Sequence, residues 1–183
     1  MTSTMDGVTK KNSMPEEPSS ATTSSELPTV FRPNVAAILQ REDGYIFVAE
    51  RIGIKGAWQF PQGGVDSGED AETALFRELE EEIGVRKEHV AILSRRDGYR
   101  YAFTKGRLKY GIYGGQEQSY FLCRYTGTDA DFNLDATERE FARWKWIAPQ
   151  EFKADWVPKF KRHVYHQVFV DFFGIDIGSG SAI

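Results

Sequence analysis

The stretch Gly63–Val85 reads GGVDSGEDAETALFRELEEEIGV, and its spacing governs how the rest of the chain is read. Ala71, Leu75, Leu79 and Ile83 recur every fourth residue, the mark of one buried row along an α-helix. A helix over Glu69–Ile83 is predicted, with Ser67 and Asp70 resembling a capping box and Gly84 just past the end. At 100° per residue from Leu79, Glu78 falls at about −100°, Glu81 at about −160° and Glu82 at about −60°. Glu80 falls about 100° to the other side. Three carboxylates thus share one face near the helix C-terminus, where they are unfavourable twice over. Glu78 and Glu82 repel as an i,i+4 pair, and the macrodipole prefers cations at that end. A divalent ion reverses the sign of both terms, since hard Mg²⁺ takes carboxylate oxygens. The other reading is a solvated acidic face, and spacing alone leaves the two open.

The charge around this stretch is uneven. Net charge is −4 over 183 residues, but residues 63–85 carry −7 and residues 1–30 carry −2, which leaves +5 for the remainder. An acidic patch in a basic surround suits a polyanionic ligand that arrives with divalent metal. A single cysteine, Cys123, excludes an internal disulfide and a multi-cysteine zinc site; its apolar neighbours make it a buried strand residue. The longest apolar run is the five residues Val35–Leu39, too short for a membrane-spanning helix. No apolar signal core is seen near the N-terminus, so a soluble cytoplasmic protein is expected.

Residues 1–30 hold six Ser, six Thr, three Pro and no aromatic residue, which predicts a disordered tail. Residues 31–175 are expected to fold as one domain, and 176–183 to form a flexible end. Asn34–Gln40 and Tyr45–Glu50 flank an Asp-Gly turn and predict a β-hairpin. Further strands are predicted over Val90–Ser94, Gly98–Phe103, Ser119–Tyr125 and Ala142–Ile147. A second helix is predicted over Pro158–Phe173, with Phe160, Val164, Val168 and Phe172 on one row. Strands interleaved with two helices point to the α/β class, an α/β/α sandwich around a mixed sheet.

Residues 63–85 also fit G-x5-E-x7-R-E-U-x-E-E-x-G-U, with U aliphatic, at every position. Seven fixed residues match by chance on the order of 10⁻⁸ per starting position. This is the Nudix box, and the chain resembles the Nudix hydrolases. Phe31–Val35, Trp58–Gly64, Gly115–Gln118, Glu140–Trp146 and Phe160–Tyr165 resemble one branch of that family. The branch holds the bacterial RNA pyrophosphohydrolases and the asymmetric dinucleoside-tetraphosphate hydrolases.

The resemblance implies that Glu78, Glu81, Glu82 and Glu140, with the Gly63 carbonyl, hold two or three Mg²⁺ ions, for which Mn²⁺ would substitute. Glu78 is the favoured general base, with Glu82 and Glu140 as rivals. Glu69 and Arg77 are assigned to support of the site, since an Arg within a carboxylate cluster can fix the loop onto the helix. Arg51 and Phe160 are expected to hold a nucleobase beyond the first nucleotide by stacking. Arg32 is a further substrate-facing candidate, and Lys161 and Tyr101 would contact phosphates. Phe160 has a competing place on the core row of its helix. Arg95, Arg96, Lys105, Arg107 and Lys109 read as a solvated basic rim, and His89, His163 and His166 as surface residues. The branch commonly carries Lys between the two glutamines and a basic residue after them, where this chain has Glu117 and Ser119.

The leading expectation is a Mg²⁺-dependent pyrophosphohydrolase that acts on tri- or diphosphorylated RNA 5′ ends and leaves a 5′-monophosphate. The alternative is a dinucleoside-polyphosphate hydrolase whose second nucleoside occupies the same stacking site. A silent RNA- or nucleotide-binding module is disfavoured because all four carboxylates are present. Neither a DNA nor a membrane partner is expected, and nothing in the sequence specifies a protein partner.

Overall fold

Val35–Leu39 are all buried, so their strand lies inside the sheet with both faces covered. In the computed structural model, which describes residues 29–135 and 139–178, this strand is β1 (Val30–Gln40). There follow β2 (Ile46–Arg51), β3 (Trp58–Gln59), β4 (Gln62–Gly64), α1 (Ala71–Ile83), β5 (Val90–Ala102), β6 (Tyr113–Tyr125), β7 (Phe141–Ile147) and α2 (Arg162–Phe173). The strand order is β3-β2-β1-β6-β5, with β4 also paired to β1 and β7 to β2. β1 and β6 run parallel and the other pairings are antiparallel, so the sheet is mixed.

Alternation along the strands divides the core in two. Val35, Ala37, Leu39, Phe47 and Phe121 pack with Ala74, Leu75, Leu79 and Ile83 of α1. Ala36, Ile38, Val48 and Tyr120 pack with Val164, Tyr165, Val168 and Phe169 of α2. The result is the expected α/β sandwich. Cys123 is buried in β6, and burial pushes its thiol up to about 12, which leaves it inert near neutral pH. Among the described residues no helix is long and apolar enough to cross a membrane.

Several local expectations change. The Arg41–Gly44 turn forms, but β1 and β2 pair only at Gln40 and Ile46 before they diverge. β2 then pairs along β7, while β1 takes β4 at Asn34–Ala36, which seats Gly63 and Gly64 beside it. The two strands predicted at 90–94 and 98–103 are one strand, β5, with register shifts at Ile92–Ser94 and Arg96–Tyr99. Asp97-Gly98, with Gly98 at φ 86°, falls within the second irregularity rather than in a chain reversal.

Helix α1 begins at Ala71, not Glu69. Asp70 is its N-cap, accepting from the Glu72 and Thr73 N–H groups at 2.9 Å each, and the Ser67–Asp70 capping box does not form. The C-terminus closes as predicted, with Gly84 at φ 72° donating to the Glu80 carbonyl. In the second helix Lys159–Lys161 is a 3-10 turn with Pro158 as its N-cap, and α2 proper starts at Arg162. Phe160 thus precedes α2, half-buried and packed against the core that Val164, Tyr165, Val168 and Phe169 enter from the helix. The predicted N-terminal tail lies outside the described residues up to position 28, and Val30 already opens β1. At the other end Ile177 packs on the α2-side core, and positions 179–183 lie outside the description.

Candidate active site

The C-terminal half of α1, the β4 loop and the segment before β7 meet at one cavity of about 480 Å³. One wall carries Gly63, Glu78, Glu81, Glu82 and Glu140. Arg77 organises it. Its Nε and Nη2 donate to the two oxygens of Glu69 at 2.9 Å each, and Nη2 also reaches the Gly64 carbonyl at 2.8 Å. Nη1 donates to Glu78 Oε1 at 2.9 Å and to Glu81 Oε2 at 3.0 Å. A forked guanidinium makes all five bonds at once, tying the 64–69 loop to the helix and aiming two carboxylates. Its hydrogen bonds to Glu69 hold that carboxyl below its ordinary range.

Glu82 lies deeper, with only 4% exposure, and accepts the Gln62 N–H at 2.9 Å. Burial, followed by the neighbouring Glu140 carboxyl, pushes its pKa well above the usual glutamate value. Burial also raises Glu78, against the pull of Arg77. Gly63 lies against the Glu78 carboxyl so closely that a Cβ there would come within 1.7 Å of its Cδ.

Among the described residues no group of three His, Cys, Asp or Glu is arranged to enclose an ion by itself. The donor set nonetheless fits one: all are hard oxygens, and a buried glutamate and its acidic neighbour face each other beyond the reach of the Arg77 hydrogen bonds. A divalent cation relieves that repulsion, and Glu78, Glu81, Glu82, Glu140 and the Gly63 carbonyl are the groups that would hold it.

The same cavity is also cationic and aromatic. Arg32, Arg51, Tyr101, Phe160 and Lys161 all line the same cavity. The Phe160 and Tyr101 rings lie 5.6 Å apart, tilted by 47°, and Lys161 Nζ stands 4.9 Å from the Tyr101 centroid. Burial, then Arg51, lowers Lys161 to about 8. The Tyr101 hydroxyl donates to the Gln116 side chain, so in this structure Tyr101 presents its ring to the cavity while its hydroxyl is engaged. Exposed His163 and half-buried His166 stand outside the cavity, with Nε2 atoms 2.9 Å from the Arg100 carbonyl oxygen and 3.0 Å from Asp176.

Some cavity residues escaped the sequence reading. Arg107 and Lys109, assigned to a solvated rim, line the cavity itself. Behind it, buried Gln118 donates to Asn34 at 2.7 Å and to Gln62 at 2.8 Å, bracing the segment whose backbone N–H meets Glu82. Two glutamines at alternate positions, leading into the apolar run Tyr120–Cys123 on the same strand, are the signal for such a network. Glu117 and Ser119 lie in β6, which starts at Tyr113, ahead of the predicted Ser119. Glu117 pairs with Arg100, and neither residue lines the cavity.

Comparison with known proteins agrees with this architecture. Residues 30–168 match the NUDIX domain. An RNA pyrophosphohydrolase of Erythrobacter litoralis is 44% identical over 149 residues, covering 78% of this chain and 90% of the relative. One from Rhodospirillum rubrum is 42% identical over 151 residues, covering 80% and 90%. The solved structure of a C. elegans Ap4A hydrolase binary complex, 23% identical, superposes with a TM-score of 0.52 over 66% of this chain and 82% of that one, a likeness of fold alone. With its box intact on α1 and its domain matched almost from end to end, the chain belongs to the Nudix family.

Proposed function

We propose that this protein is a cytoplasmic, Mg²⁺-dependent RNA 5′-pyrophosphohydrolase that Mn²⁺ also supports. The observation that carries the reading is the meeting of acidic, cationic and aromatic groups in one cavity. Four carboxylates share one cavity with Arg32, Arg51, Lys161 and the Phe160–Tyr101 aromatic pair. A 5′-triphosphate end offers matching features: phosphates for the charged groups and a following nucleotide for the rings. The names of the Erythrobacter and Rhodospirillum relatives favour RNA over other polyphosphates.

In this reaction water adds across a phosphoanhydride bond, giving a 5′-monophosphate end and inorganic pyrophosphate from a triphosphate, or phosphate from a diphosphate. Bound divalent metal supplies phosphate charge neutralisation and a lowered pKa for water. Glu78 serves as the base in this account: desolvation keeps its pKa raised, which suits a proton acceptor. Arg77 and Glu69 hold the loop and helix together without touching substrate. Arg51 and Phe160 stack on the second nucleotide, and Lys161 and Arg32 take phosphate oxygens.

The test is product identification. Triphosphorylated RNA incubated with the protein and Mg²⁺ should yield monophosphorylated ends and pyrophosphate, at a rate at least ~10²-fold lower for Glu82→Gln. Unchanged RNA ends would refute the reading.

A further inference from the structure

The turn between Phe103 and Gly114 holds the most unusual backbone of the described chain. Lys105 (φ 60°) and Tyr110 (φ 53°) are the two non-glycine residues with positive φ among the described residues. L side chains avoid that region, and such conformations persist where the surroundings impose them. Here the turn is tied at its base. Phe103 N–H donates to the Gly114 carbonyl at 2.7 Å, and Lys109 and Tyr113 exchange hydrogen bonds at 2.8 and 3.0 Å. Tyr110 projects into solvent at 69% exposure, where its ring gains nothing from core packing.

The ring has a partner. Arg32 Cζ lies 5.3 Å from the Tyr110 centroid and Lys109 Nζ 5.4 Å from it. The same Arg32 guanidinium rests on Gly64, where a Cβ would come within 1.9 Å of Nη2. Gly64 in turn gives its carbonyl to Arg77, so the arm, through Arg32, and the carboxylate wall, through Arg77, meet at one glycine. Arg107 and Lys109 line the cavity beside Arg32.

We propose that this turn is an arm for the phosphates beyond the carboxylate wall. Tyr110 is a positioning residue that fixes Arg32 against Gly64, and Arg107 and Lys109 add the charge that meets the far phosphates. A forked guanidinium binds phosphate best when its plane is set beforehand. The arm deepens the proposed reaction and rests on it for the identity of the substrate. Its ligand by chemistry is any polyphosphate chain.

The test is calorimetric binding of inorganic triphosphate to the full chain in Mg²⁺. Tyr110→Ala should weaken binding about 2- to 5-fold, the worth of an exposed cation–π contact, and Tyr110→Phe should restore it. Lys109→Gln should weaken it by up to about 5-fold, with the difference shrinking as salt is added. Lys153→Gln, an equal charge change at an exposed site outside the cavity, should leave it unchanged. The arm is refuted by wild-type affinity in Tyr110→Ala and Lys109→Gln, by Tyr110→Phe as weak as Tyr110→Ala, or by no binding to the unmodified protein. An unmodified protein that leaves RNA ends intact yet shows the expected pattern overturns the proposed reaction and supports the arm.

Discussion

Glu82→Gln removes one charge while keeping the shape of the side chain, and the amide oxygen can still accept the Gln62 N–H. Without metal the native carboxylate is costly, because it is buried and faces Glu140. Its raised pKa means that the folded state binds the proton more tightly than the unfolded one. Stability from this group is therefore full below the ordinary glutamate range and is lost as pH rises through the native value. Glutamine does not titrate. In chelator the variant should match the parent in acid and become the more stable of the two toward neutral and higher pH. Relief of an uncompensated buried polar group is worth about 1–3 kcal/mol, and each kcal/mol moves Tm by about 2–4 °C in a chain of this size. With Mg²⁺ the order should reverse, since the parent gains binding free energy that the variant has largely lost. Thermal unfolding across pH, with chelator and with Mg²⁺, reads both effects. A variant less stable than the parent in chelator at every pH, or one equally stabilised by Mg²⁺, would refute this account of the carboxylate wall.

Three further outcomes follow from the same geometry. Gly63→Ala should keep the fold but push the Glu78 carboxyl aside, because the added Cβ would fall 1.7 Å from its Cδ; Mg²⁺ titration should show weakened affinity with an unchanged far-ultraviolet spectrum. Arg77→Lys keeps the charge but loses the fork, so Mg²⁺ affinity or turnover should fall about 10- to 100-fold, as measured by activity against Mg²⁺ concentration. Lys161, lowered to about 8 by burial and then Arg51, should lose its charge as pH climbs past that value. KM for RNA should then rise with pH in the parent, and Lys161→Arg should shift that rise toward higher pH.

Periodic and spaced features were legible before any coordinates. The Leu75–Leu79–Ile83 row set α1, and the angular positions of Glu78, Glu81 and Glu82 put them on one face of it. What escaped the sequence depended on partners distant in the chain. Asp97-Gly98 has turn chemistry, yet β6 continues alongside and turns the irregularity into a bulge within β5. The β1–β2 hairpin predicted from its Asp-Gly turn forms only at its base, because β7 and β4 take the strands away from each other. Phe160 reads as either core or cavity from the sequence, and it is both: from the 3-10 turn before α2 it packs on the α2-side core and lines the cavity. Arg107 and Lys109 looked like surface charge because nothing in their immediate neighbours records that their turn folds back over the cavity.

The reaction proposed for this cavity rests on an RNA 5′ end as its substrate. Its most direct measurement is a competition in which triphosphorylated RNA and diadenosine tetraphosphate, at matched concentrations with Mg²⁺, are offered together and both products are followed. Faster conversion of the RNA is expected, with Phe160→Ala slowing it. Preferential cleavage of the dinucleotide, with RNA ends left triphosphorylated, would contradict it.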